Sequence, residues 1–504
     1  MTDQIPAQSI ELSLISHTNV GKTTLARTLL GHDVGTVLDA PHVTETADSF
    51  PMVETAQGDR LLLWDTPGFG DSARLARRLA QSDNPIGWLL SSVWDRFRDR
   101  AFWSSQQAVR NVGERADVVL YLVNAAEDPD DAGYVGPELR VLDWIGKPVI
   151  VLLNQLGPPR PHAETAAEIE RWRARVAQAA CVRAVLPLDA FARCWIQEGA
   201  LLDALASVLG ADRQAAFERM RTEWMRLRRE AFDASMQVLA RRVARAALDR
   251  EPIASSAWTE RLREAGAALG LVRAAADSPR QAAMRALAGR LDADIRNSTD
   301  ELIRLHRLGG RATDEVLTRL ARHYAVREPV SEGKAAMFGG LLTGALAGLK
   351  ADLATGGLSF GAGLLAGGVI GALGAAGLAR GYNIVRRAGT PSVIWADPVL
   401  DELFASALLG YLAVAHYGRG RGDWAPSEHP AHWQQAVQDV AGARAESLQL
   451  LWQQRDQDEA AARLPERLRT VLTGAALDAL ARLYPDAAAA AATSQSVPAG
   501  DGDT

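Results

Sequence analysis

The sequence predicts an α/β domain, a mostly parallel sheet with helices on both faces, followed by a mainly α-helical domain that contains a glycine-rich helical hairpin. Three observations carry this expectation. Short apolar runs alternate with helix-length segments up to about residue 210, apolar residues then recur at three- and four-residue spacing, and residues 335–381 hold 14 of the 43 glycines.

The strands come in order. Ile10–Ile15 (Ile-Glu-Leu-Ser-Leu-Ile) reads as the first, followed by a polar turn and by Thr23–Leu30 with helical spacing. Arg60–Trp64, Asp117–Val123, Pro148–Leu153 and Arg183–Leu188 are the further candidates, separated by enough chain for helices. From 211 the pattern changes. Phe217, Met220, Trp224, Leu227, Phe232, Met236 and Leu239 fall on one helical face, so amphipathic helices are expected there. The organisation that follows is an α/β domain over 1–210 with a helical insert at about 71–115, a helical region over 211–334, the hairpin over 335–387, a second helical region over 388–485, and a disordered tail over 486–504.

Composition narrows the function classes. The chain has 504 residues, enough for two to four domains; 48% apolar and 23% charged residues describe a globular protein rather than a disordered or polytopic membrane chain. A net charge of −6 argues against a generic basic nucleic-acid binder, so nucleic acid is not an expected partner. Cys181 and Cys194 alone cannot build a disulfide framework or a cysteine zinc site. Met1-Thr2-Asp3-Gln4 does not begin a secretory signal, and a cytoplasmic location is expected, with a peripheral position at the inner membrane as the alternative. Of the 55 basic side chains only Lys22, Lys147, Lys334 and Lys350 are lysines, which draws attention to wherever a compact ammonium is kept.

One of them sits in Ser16-His17-Thr18-Asn19-Val20-Gly21-Lys22-Thr23-Thr24, between the first strand and the first helix. This is the P-loop pattern Gly-x-x-x-x-Gly-Lys-Ser/Thr with Ser16 at the first glycine. Gly21 lets the backbone pass close to phosphates, the helix N-terminus offers N–H donors, Lys22 reaches the β- and γ-phosphates, and the Thr23 hydroxyl ligates magnesium. About forty residues on, Leu61-Leu62-Leu63-Trp64-Asp65-Thr66-Pro67-Gly68 is an apolar strand ending in an acid. Asp65 would hold magnesium through water, and the Gly68 N–H would sense the γ-phosphate.

On these two motifs, residues 8–210 resemble the translation-factor-related P-loop GTPases of the Era/TrmE-like branch. The resemblance implies GTP and magnesium as ligands. It also implies a threonine that closes over the metal, for which Thr44 and Thr46 are candidates and Thr44 is favoured. Asn19 matches the asparagine with which some members bind potassium. Phe69 stands where Ras-like proteins keep a water-orienting glutamine, which implies slow hydrolysis. The base-recognition motif Asn-Lys-x-Asp is only partly present. Asn154-Gln155-Leu156-Gly157 keeps the asparagine, but Gln155 replaces the lysine and Gly157 the aspartate, so ATP or relaxed base choice stays open. The last family loop falls near Leu188–Phe191, with Asp189 in it. Together with Trp64, the tryptophan-rich insert and the hairpin, the chain resembles bacterial GTPases that carry an uncharacterised C-terminal domain, domain of unknown function 3482.

The insert between Gly68 and Asp117 contains Trp88, Leu89, Val93, Trp94, Phe97, Phe102 and Trp103. These aromatics either pack the insert on the sheet or form a nucleotide-gated contact. In 335–381, Lys350-Ala351-Asp352 separates two apolar arms of about 22 and 40 Å as helices, with Gly340, Gly344 and Gly348 in one and Gly363, Gly367 and Gly371 in the other. The arms fit a protein-buried hairpin, a hairpin that meets a membrane surface, or a transmembrane anchor. Glu428, His429 and His432 have metal-like spacing but no second cluster. The expected function is a slow GTPase switch that couples nucleotide state to the helical domain through an unknown protein effector or self-association. The alternatives are a nucleotide-gated membrane-associating structural protein and a nucleotide-binding module without turnover.

Overall fold

A computed structural model describes residues 7–32, 47–91, 100–157, 160–190, 194–253, 279–308, 382–387, 390–417 and 431–486. Thr44 and Thr46, the glycine-rich stretch 335–381, Glu428 and His429, and the tail beyond 486 lie outside them.

Six strands build the first sheet: β1 (Ser9–Ser16), β2 (Asp48–Glu54), β3 (Arg60–Asp65), β4 (Val118–Asn124), β5 (Val149–Asn154) and β6 (Val182–Pro187), in the order β2-β3-β1-β4-β5-β6. All neighbours are parallel except β2, which runs antiparallel to β3 at the edge. β4 and β5 are buried throughout their apolar runs, as central parallel strands covered on both faces must be. β2 is the strand that pattern reading passed over. It is mostly exposed, contains Pro51, and slips register between Pro51 and Val53, so it shows little of the alternation that marks a strand.

Helices cover both faces. α1 (Lys22–Leu30), α7 (Trp195–Val208) and the first half of α8 (Ala211–Leu248) enclose one core with Leu12, Leu14, Leu29, Leu205 and Phe217. α2 (Ser72–Leu79), α4 (Arg100–Glu114), α5 (Val135–Ile145) and α6 (His162–Val176) enclose the other with Phe69, Phe102, Tyr121, Val141 and Trp172. A short α3 (Pro85–Ser91) precedes the described part of α4. Phe102 is buried on this face of the sheet, and Trp88 packs against the same cluster, so these two aromatics of the insert are packing residues. The Arg74 and Arg78 guanidinium carbons lie 4.6 and 5.1 Å from the Phe102 ring centroid.

α8 is 38 residues, about 57 Å of helix, and it belongs to both halves of the molecule. Phe217, Met220 and Trp224 are buried against the sheet domain; Phe232, Met236 and Leu239 are buried in the core of the helical half, the second of the two cores that α8 joins. That core is completed by α9 (Pro279–Leu305), α10 (Asp397–Ala415), α11 (Ala431–Gly442), α12 (Ala445–Gln454) and α13 (Asp458–Leu483). By length and composition α10 could cross a membrane, but it buries Leu400, Phe404, Ala407 and Tyr411 inside this core.

The helical expectation for the second half needs one correction. β7 (Arg250–Pro252), β8 (Tyr382–Arg387) and β9 (Thr390–Trp395) form an antiparallel sheet in the order β7-β9-β8. The last six residues assigned to the hairpin and the start of the next helical region are therefore strands. Ile384, Val385, Val393 and Ile394 are β-branched, and only two residues separate β8 from β9, a hairpin spacing that the neighbouring glycine run obscured.

Two charged groups make the packing testable. At the turn before β3, the buried Asp59 accepts the Arg219 Nε–H at 2.7 Å and an Nη2–H at 3.0 Å, tying α8 to the β2–β3 hairpin. The Arg219 guanidinium holds the Asp59 carboxyl below its usual range. A depressed carboxyl contributes stability that is present above its unfolded value and is lost as pH falls through the folded one. Arg219→Ala should therefore lower Tm at pH 7, and the gap from the parent should close on acidification below the ordinary aspartate range; a constant gap would show that the carboxyl is not involved.

In the second core, His416 is fully buried. Its Nδ1 donates to Leu412 O at 2.6 Å, its ring lies 4.5 Å from Trp433 and 5.6 Å from Tyr484, and Nε2 has no partner. Burial pushes its pKa down to about 4. Because the unfolded chain protonates more readily, this residue destabilises the fold progressively as pH drops from about 6.5 to 4, by about 3 kcal/mol in full. His416→Gln should flatten that part of the thermal stability profile, measured by melting across pH.

Candidate functional site: the strand-end loop after β1

The parallel sheet brings the carboxyl ends of β1, β3, β4 and β5 to one edge, where open α/β sheets bind ligands. The chain leaves β1 at Ser16 and must reverse into α1 within five residues. It does so through Asn19 at φ 67° and Gly21 at φ 94°. Asparagine tolerates that left-handed region; at Gly21 glycine is required twice over, since a Cβ there would stand 3.0 Å from Nδ2 of Asn154. α1 has no side-chain cap at Gly21, where its first turn begins at the end of the loop. An anion fits that concavity.

Four predicted residues converge here. Lys22 is buried, and its Nζ donates to Ser16 Oγ at 3.1 Å. Thr23 Oγ1 donates to Asp65 Oδ2 at 2.6 Å, joining α1 to the end of β3. Gly68 closes the site from the other side: a Cβ on it would stand 3.0 Å from Nζ of Lys22 and 3.2 Å from Cα of Thr18. Any larger residue would push into the phosphate cradle.

The charges are held in an unusual state. Burial pulls the Lys22 pKa down, opposed by the nearby Asp65 and Glu138 carboxylates. Burial pushes Asp65 up, opposed by the Thr23 hydroxyl and Lys22. A bound polyphosphate would favour the ammonium. Asp65 Oδ1 is buried with no hydrogen-bond partner, an orphan acceptor beside a threonine hydroxyl. Hard oxygen donors of this kind, one hydroxyl and one carboxylate, suit magnesium, which prefers to keep waters and phosphate oxygens as its remaining ligands. The donor set therefore fits the metal that the sequence pattern implies.

The predicted base-loop residues are placed beside the cradle. Asn154 Nδ2 donates to Val20 O at 2.7 Å, and Gln155 Nε2 donates to the same carbonyl at 3.3 Å. Gln155 and Gly157 have φ of 60° and 81°. Asn19 is exposed on the loop, Thr24 is buried in the first turn of α1, and Thr44 is not among the described residues.

Three residues carry more than their sequence context indicated. Ser16, a departure from the glycine of the P-loop pattern, is the acceptor that holds Lys22. His17 Nδ1 bonds Glu138 Oε1 at 2.7 Å, and Tyr121 OH donates to Glu138 Oε2 at 2.8 Å, so a fully buried carboxylate on α5 anchors the loop. Burial raises the Glu138 pKa against the opposing pull of His17. Nothing in the local sequence of α5 singles Glu138 out; the contact spans 121 residues. Phe69 is fully buried, and its N–H donates to Ser16 O at 2.9 Å, so it serves the core and not the reacting water. Among the described residues, His432 included, no group of three or more His, Cys, Asp or Glu side chains could hold a metal ion.

Strand, anion loop, threonine–aspartate pair and Asp65–Gly68 turn, in this order on this sheet, define a P-loop domain of the GTPase class. Residues 11–155 match the family described as 50S ribosome-binding GTPase, and residues 175–483 match the domain of unknown function DUF3482. The second match covers more than half of the chain, which belongs to the DUF3482 family. The GTPase Der of Caldanaerobacter subterraneus subsp. tengcongensis is 26% identical over 153 residues, 29% of this chain. The chain spans only 28% of that curated relative's length. Among solved structures, Era in complex with MgGDPNP and a 16S ribosomal RNA segment is similar over 40% of this chain and 58% of that one, at 16% identity and a TM-score of 0.29. Aquifex aeolicus Era bound to GDP.AlF4- is similar over 40% of this chain and 57% of its own, at 16% identity and a TM-score of 0.28.

Two substitutions probe the cradle. Lys22→Ala removes a charge-assisted contact worth roughly 1.5–3 kcal/mol, so triphosphate affinity in calorimetry should fall by about 10- to 100-fold. Gly21→Ala should weaken binding comparably while leaving the far-ultraviolet spectrum unchanged; unaltered affinity in both variants would remove the loop from the binding site.

Proposed function

We propose that this protein binds GTP with magnesium and hydrolyses it slowly, acting as a switch whose nucleotide state is passed to the helical half. The observation that carries the reading is the Thr23–Asp65 pair at 2.6 Å, with the second Asp65 oxygen unpartnered, next to the buried Lys22.

Each residue has a role in that reading. The backbone N–H groups after Gly21 and the Lys22 ammonium bind the β- and γ-phosphates and balance charge as the terminal phosphoryl group departs. Thr23 and Asp65 would hold magnesium, which when bound neutralises charge on the same oxygens. The Gly68 N–H senses the γ-phosphate, and Thr44 is the proposed residue that closes over the site. Asn154 holds the P-loop to the base loop. Phe69 presents no group to orient water, so turnover without a partner is slow. Asn19 is the candidate for a potassium requirement.

Transmission would run through α8, which is buried in both cores and holds the β2–β3 hairpin through Arg219 and Asp59. The Asp65 strand is one arm of that hairpin, so a change at the phosphate edge has a short route to the helix. Cys181 and Cys194 are both buried thiols not joined in a disulfide, which supports a reducing cytoplasm.

Phosphate release with GTP and with ATP, in potassium and in sodium, tests turnover. Release above a Lys22→Ala control, faster with GTP, is expected. Release equal to the control with both nucleotides would leave a binding module without turnover.

A further inference from the structure

The two segments that flank the phosphate edge run side by side. The Phe69 N–H donates to Ser16 O at 2.9 Å, and His17 pairs with Phe69 in an isolated parallel bridge, so the start of the phosphate loop lies against the turn that leads into α2. Lys22 and Gly68 meet across the same seam, since a Cβ on Gly68 would stand 3.0 Å from the ammonium. The ammonium and the Gly68 N–H can address one phosphoryl group only while that spacing holds.

A side chain that belongs to neither segment reaches both. Glu138, in the first turn of α5, bonds His17 Nδ1 through Oε1 at 2.7 Å and accepts the Tyr121 hydroxyl of β4 through Oε2 at 2.8 Å. Ser72, the buried first residue of α2, hydrogen-bonds the same carboxyl. Tyr134 stacks on the His17 ring, with the ring centroids 4.7 Å apart and the planes at 21°, and so fixes its orientation. α2 also packs on α5. The phosphate loop, a central strand and the start of α2 therefore share one carboxyl group.

Stability does not call for an acid at this position. Glu138 is fully buried beside the apolar cluster of Val135, Leu139 and Leu142, where an apolar side chain would pack at least as well as a charge. An apolar side chain could not accept bonds from separate segments, whereas a carboxylate has two oxygens and about four acceptor sites with which to do so.

We propose that Glu138 is a positioning residue for the γ-phosphate: it holds the phosphate loop, through His17, and the start of α2, through Ser72, in one register, so that Lys22 and the Gly68 N–H address the same phosphoryl group. This role rests on the reading that the cradle binds a nucleoside triphosphate. Glu138 acts through the two segments and not on the nucleotide itself.

The experiment titrates the full chain, with magnesium, with GDP and with the non-hydrolysable triphosphate GDPNP, and records Tm alongside. Glu138→Gln keeps the shape and one acceptor oxygen but gives up the other. It should lose at least about fivefold for GDPNP relative to GDP, because only the triphosphate carries the group that needs both segments in register. His17→Phe keeps a ring beside Tyr134 and removes Nδ1, and Ser72→Ala releases α2 alone; each should shift the same ratio in the same direction. A purely structural role would lower Tm and leave the ratio of the two affinities at the parent value. An unchanged ratio in a folded Glu138→Gln variant overturns the assignment. Should that variant not fold, an unchanged ratio in both His17→Phe and Ser72→Ala overturns it. Failure of the parent to bind either nucleotide overturns the cradle reading, and the role of Glu138 with it.

Discussion

The parallel register of β1 with β3 and β4 is the constraint from which the site follows. Leu14 pairs with Asp65 and Ser16 with Leu122, so the ends of three strands lie at one level. Parallel pairing lines up the carboxyl ends of the strands, and a loop that leaves one strand there meets the acid that ends its neighbour. The Thr23–Asp65 bond is the local expression of that arrangement. It joins residues 42 positions apart that the sheet has already brought together.

The edge is costly as a place to keep charge. Lys22, Asp65 and Glu138 are all buried, and each is pulled toward its neutral form by desolvation. They are retained because Lys22 attracts both Asp65 and Glu138 and because hydroxyls from Ser16, Thr23 and Tyr121 bond to them. The orphan Asp65 oxygen shows that the balance is incomplete in the protein alone. Such a site is pre-organised: the reorganisation that a flexible polar site would undergo on binding has been met by folding.

α8 makes the two halves one mechanical unit. Most of the stability of a helix in a protein comes from packing, and the charged faces of α8, such as Arg226 with Glu223 and Glu230, are solvated pairs that contribute little. Its stability comes from the two apolar stretches that are buried in different cores. Trp224 is the last buried residue of the first stretch and Phe232 the first of the second.

The fold class was legible in the sequence because parallel strands buried on both faces read as continuous apolar runs, and because Gly21-Lys22-Thr23 and Asp65-Thr66-Pro67-Gly68 carry chemistry in residue types and spacing. The face of α8 was legible for the same reason: a 3.6-residue period is a local property. Edge strand β2 and the small β7-β9-β8 sheet were not, because an exposed strand with a proline and a strand of three residues are held by partners far along the chain. The contacts of Ser16, Glu138 and Asp189 were decided by tertiary structure alone. Glu138 and Asp189 act on residues brought near by the sheet, across 121 and 33 positions, and no local pattern encodes a distance of that kind; Ser16 reaches Lys22 within its own loop. The amino-acid sequence by itself determined which loop can hold phosphate; the packing of the sheet decided which buried groups hold that loop.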